Sequence, residues 1–79
     1  MSIEFTKDTK RAICIVSDQL ADDVTPGLPA EEFKAELAEL TLDRLGFLGH
    51  TQADQEVSKL IKDNGYSDVT VAAAELLLY

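Results

Sequence analysis

The chain holds one histidine, one cysteine and a regular row of carboxylates, and these bound the chemistry it can do. His50 closes the run Gly46-Phe47-Leu48-Gly49-His50. General-base work would need an orienting acid and a nucleophile within hydrogen-bond reach of the imidazole. Thr51 and Asp54 follow closely, but Thr51-Gln52-Ala53-Asp54 reads as a helix start, a relative of the capping box with Asp in place of Glu or Gln. His50 is therefore read as a loop or cap residue. Cys14 sits among Ile13, Ile15 and Val16, with only Arg11 as a nearby cation. A thiol becomes reactive in an electropositive setting and otherwise behaves as a small apolar side chain, so a core position is expected. One cysteine and one histidine also fall short of a four-ligand zinc site.

Glu32, Glu36, Glu39 and Asp43 recur at steps of four, three and four. On a helix rising 1.5 Å per residue they spread over about 16 Å. A hard cation needs oxygens converging within about 2.6 Å, so the row is a solvated face or a partner surface, not a metal site. No glycine-rich phosphate loop of the G-x-x-x-x-G-K-[ST] or G-x-G-x-x-G type is present. With no paired nucleophile and base, no catalytic residue, cofactor or metal is assigned, and the chain reads as non-enzymatic.

The elements that carry these residues follow from apolar spacing. Thr6 can cap a helix over about 7–21, with Asp8 in its first turn and Ala12, Ile13, Val16 and Leu20 inward. Lys10, Ser17 and Asp18 are expected to face out. Asp22 to Pro29 breaks the pattern with two prolines and a glycine. A second helix spans about 30–46, with Phe33, Leu37, Leu40 and Leu45 as core and Ala35, Ala38 and Leu42 broadening that side. Gly46 or Gly49 can take its left-handed cap. A third helix covers about 52–63, capped by Thr51, with Ala53, Val57, Leu60 and Ile61 inward. Asn64-Gly65 is a turn, and Ser67 can cap a fourth helix over about 68–78. Its expected core face is Val71, Ala74, Leu77 and Leu78, extended by Val69, Ala73 and Leu76. The expectation is an all-α, single-domain bundle of about four short helices, joined by about eight, four and three residues. Residues 1–5 are an extended arm or a staple.

The 79 residues suit one domain with a thin stability margin. The net charge of −8 is uneven, since residues 18–43 hold eight carboxylates against Lys34 alone. Such a field opposes phosphate backbones and anionic membranes and favours a basic protein. No signal peptide and no apolar run of about 20 residues is read. The cytoplasm is the expected location, where an unpaired thiol is easily kept reduced.

Three outlines resemble known families. The small acidic four-helix plan is similar to an acyl carrier protein, whose prosthetic group sits on a serine opening the second helix. Here that helix opens Pro29-Ala30-Glu31-Glu32-Phe33 without one. Val57 to Leu77 resembles a helix-turn-helix, with Gly65 in the turn and Val71 packed inside, which implies a regulator of nucleic-acid transactions. Asp68 to Tyr79, however, holds no Lys or Arg to read a groove. Leu37 to Leu78 resembles a ubiquitin-associated domain, with Leu45-Gly46-Phe47 at the family's Met-Gly-Phe loop and Leu76-Leu77 at its dileucine. That resemblance implies binding through Gly46, Phe47 and Leu76.

The expected function is an acidic protein-interaction module, a regulator or inhibitor of a basic protein partner. Glu32, Glu36, Glu39 and Asp43 would steer the approach, and Phe47, Leu48, Leu76, Leu78 and Tyr79 would dock or close a homodimer. An acidic mimic of DNA, occupying a basic nucleic-acid-binding surface, is the alternative alongside the helix-turn-helix regulator.

Overall fold

A computed structural model describes residues 3–77, and every regular element among them is a helix. Helix α1 spans Lys7–Leu20 and passes into a 3-10 turn at Ala21–Asp23. Helices α2, α3 and α4 span Ala30–Arg44, Thr51–Asn64 and Tyr66–Ala74. The expected all-α bundle of four short helices is the architecture found. Helix α1 packs against α2 and α3, and α4 packs against the same two. Around the ring the order is therefore α1, α2, α4, α3, with Ile13, Leu37, Leu45, Val57 and Val69 fully buried between them.

Helix α1 starts where expected. Thr6 is extended (φ −64°, ψ 162°) and its Oγ1 accepts the Thr9 N–H at 3.3 Å. The Thr6 N–H donates to Glu56 Oε2 at 2.9 Å, and its hydroxyl donates to Glu56 Oε1 at 2.8 Å. A capping box draws its acid from the third helical position. Here the acid comes from α3, fifty residues away, and its charge lies at the positive end of α1. Just before this cap, Phe5 is buried and Ile3 packs against the core. The segment from Ile3 to Phe5 is thus anchored.

Two expectations on α1 are corrected. Ser17 is buried, with its Oγ donating to the Cys14 carbonyl at 2.9 Å, and Cys14 is exposed. The buried strip centres on Ile13 and Leu20. At 100° per residue, Ser17 lies about 40° from Ile13 and Cys14 about 100° from it. Covering by both α2 and α3 takes in the serine and leaves the thiol outside.

On α2, Leu37, Ala38, Thr41 and Leu42 are buried, as is Leu45 just after it. Phe33 and Leu40 pack half-buried against the core, while Ala35, expected to broaden the apolar side, is exposed. Beyond Arg44 the chain stays coiled for one more turn, with Leu48 N–H on the Arg44 carbonyl at 3.0 Å. His50 N–H then reaches the Leu45 carbonyl at 2.9 Å and Gly49 N–H the Gly46 carbonyl at 3.3 Å. This is the Schellman pattern, and Gly49 (φ +91°) takes the left-handed position.

That turn also overrules the expected cap of α3. His50 precedes the helix, and its carbonyl accepts the Asp54 N–H at 2.9 Å. Thr51 is already helical and caps nothing, because the chain comes straight out of the Schellman turn. Helix α4 begins at Tyr66, so Ser67 is inside it and caps nothing either. Its buried residues are Val69, Thr70 and Ala73, with Leu77 beyond. Val71 was expected inward and is 59% exposed; it lies about 200° around the helix from Val69. The connections measure nine, six and one residue. Leu78 and Tyr79 lie outside the described residues.

Thr41 Oγ1 is buried without a hydrogen-bond partner among the described residues. Thr70 Oγ1 donates to the Tyr66 carbonyl at 2.9 Å. Removing an unsatisfied hydroxyl relieves a desolvation penalty of about 1 kcal/mol, whereas removing a bonded one loses about as much. Urea denaturation should therefore show Thr41→Val more stable than wild type and Thr70→Val less stable. Loss of stability in Thr41→Val would show that its hydroxyl is satisfied.

Candidate functional site

The candidate surface runs along the exposed side of α2 and over the turn that follows it. Glu32, Glu39 and Asp43 are exposed. Glu36 is half-buried, and its Oε1 accepts the Thr25 hydroxyl at 3.1 Å from the loop between α1 and α2. The acidic row is therefore not uniform, because one member helps to tether a loop. Phe47 and Leu48 are 85% and 44% exposed in the coiled turn after α2. Asp43 and Phe47 are one helical turn apart in that continuous coil, so they are neighbours on one side. Leu76 is half-buried against the core. Leu78 and Tyr79, the remaining two of the expected docking residues, fall outside the described residues.

Tyr66 was not among the expected site residues. Its ring is 40% exposed at the start of α4. Its phenol is raised above the ordinary value of 10.0, first by burial and then by the charges of Asp43 and Glu39, with a hydrogen bond to Thr70 acting the other way. The two carboxylates nearest Phe47 in the row thus also face an aromatic hydroxyl from another helix. The sequence carried no signal for this, since α4 reaches α2 only through the tertiary fold.

Two grooves adjoin these elements. One, of about 300 Å³, is lined by Asp43, Gly46, Phe47 and Asp54. The other, of about 420 Å³, lies where α1 and α3 begin, with Thr6, Asp8, His50 and Glu56 in its lining. In the larger one Glu56 is already engaged by Thr6. His50 is half-buried there and its ring makes no hydrogen bond among the described residues. Cys14 is not in either lining. Among the described residues no three of His, Cys, Asp or Glu come together as a metal site. No helix among them is long and apolar enough to cross a membrane.

No protein-family model, curated protein or solved structure matches the chain. The helix-turn-helix outline meets a different geometry in this fold. Only Gly65 separates α3 from α4, where such motifs use a turn of three or four residues, and Val71 points away from the core.

The raised phenol has a direct test. A proton held more tightly in the folded state contributes stability that is complete below about pH 10 and is lost as pH rises through the raised value. In a Tyr79→Phe background, ultraviolet titration should place Tyr66 above free tyrosine. Asp43→Asn should lower that midpoint without returning it to the free value, since burial is the larger cause. An unchanged midpoint would show that Asp43 does not face the phenol.

Proposed function

We propose that the chain is a small, non-enzymatic interaction module that regulates or inhibits a basic protein by docking on it. The observation that carries this reading is the placement of Phe47. An aromatic residue 85% exposed stands one turn beyond Asp43, the last carboxylate of the acidic stretch 18–43 in a chain of net charge −8. Apolar side chains scattered singly on a surface are ordinary. An aromatic residue next to Leu48, with Asp43 and Asp54 lining the same groove, has the composition of a docking centre with a charged rim. Exposed carboxylates raise the rate of encounter with a cationic surface, and the apolar centre holds the complex once formed.

The alternatives receive less support. A nucleic-acid regulator would need cations on the reading helix, and α4 has none. A mimic of DNA would need an evenly exposed acidic row, and Glu36 is drawn back to Thr25.

Affinity capture from the native host tests the reading. Wild type should retain a basic protein that Phe47→Ala and Asp43→Asn both lose, with Glu31→Gln, outside the surface, retaining it. Equal retention by all four chains would show that this surface does not bind the partner.

A further inference from the structure

The smaller groove has features that specify what fits it. Asp43 comes from α2 and Asp54 from the first turn of α3. Gly46 lies between them, and a Cβ built there would meet Asp54 Oδ2 at 3.2 Å. The end of α2 and the start of α3 approach this closely because residue 46 lacks a side chain. Neither carboxylate has a hydrogen-bond or ion-pair partner among the described residues, and Arg44, next to Asp43 in sequence, pairs with neither. Both carboxylates line the one groove, so a cation seated there would meet two negative charges. Phe47 forms the apolar wall and is itself largely uncovered.

The geometry points to this groove as the seat of a single arginine side chain from the basic protein partner, an inference that rests on the docking reading above. A guanidinium is a planar fork with five N–H donors, so its edges can serve carboxylates arriving from two elements. Its face can lie on an aromatic ring at the same time. An ammonium is a strongly hydrated point charge and combines these contacts less well. The volume of about 300 Å³ is at the small end of ligand sites, which suits one side chain and not a whole helix.

Amide chemical-shift titration of the full chain with N-acetyl-arginine amide tests this. N-acetyl-lysine amide and uncharged N-acetyl-citrulline amide are the comparison probes. The arginine probe should give saturable shifts at Gly46, Phe47 and Asp54, with a Kd on the order of millimolar for so small a ligand. Lysine should bind several-fold more weakly and citrulline should give no saturable shift. Asp43→Asn and Asp54→Asn should each weaken the arginine response by about fivefold or more. The exposed Asp43 variant keeps the test open if Asp54→Asn fails to fold. Equal responses to arginine and citrulline, or to arginine and lysine, would overturn the assignment. Shifts confined to Glu32, Glu36 and Glu39 would overturn the groove while leaving acidic docking in place. No saturable shift anywhere on this face would overturn both.

Discussion

One residue, Gly65, sets how the last helix meets the other three. Its backbone stands at φ +94°, ψ +149°, a region that essentially only glycine occupies. Its N–H closes α3 on the Ile61 carbonyl at 2.8 Å, and its carbonyl accepts the Val69 N–H at 3.3 Å as α4 begins. The same residue ends one helix and starts the next, so the chain reverses its environment without a loop. Beyond Gly65 and its two chain neighbours, nothing lies within 4 Å of where a Cβ would sit. The requirement is therefore conformational and not steric. Because α4 leaves α3 in that direction, Val69, Ala73 and Leu77 are buried where α4 packs on α2 and α3, and the ring closes. A chain of 79 residues with one cysteine has no cross-link to replace that closure.

The candidate surface depends on the same closure. Tyr66 immediately follows Gly65, and it is the docking of α4 on α2 that brings its phenol to Glu39 and Asp43. Just beyond this same end of α2, Gly46 and Gly49 act together. Gly49 supplies the left-handed cap that turns the chain toward α3. Gly46 supplies the clearance that lets Asp54 come alongside. Leu45 is driven into the core while Phe47 and Leu48, two and three positions on, are left outside. The exposed aromatic ring is thus a consequence of where the core takes its last leucine from α2. The staple between Thr6 and Glu56 fixes α1 to α3 on the remaining side.

Much of the helix plan was legible because it rests on local rules. The apolar rows at steps of three and four located the helices to within about two residues, except that α4 ends at Ala74, four residues before the expected 78, and Thr6 announced its own cap. What depended on neighbours was less visible. Ser17 and Cys14 exchange their expected places because α1 is covered from two sides, which a single-face reading does not include. Val71 lies outside because Gly65 aims α4, and Thr51 and Ser67 lose their capping roles because the turns before them already define the helix starts. Glu56 caps a helix fifty residues earlier in the chain, and no local pattern encodes that. Of the site, Phe47, Leu48 and Asp43 were legible as exposed or charged residues beside a glycine turn. Tyr66 and Asp54 were not, since each reaches the surface from another element.

Gly65 is the residue that lets α4 close the ring and complete the surface. Equilibrium urea denaturation of Gly65→Ala tests this most directly. The variant should lose roughly 2 kcal/mol or more, as expected when an L-residue is forced into a glycine-only conformation. A loss below about 0.5 kcal/mol, the range of ordinary surface substitutions, would contradict it, because the connection would then not need glycine and another constraint would place α4.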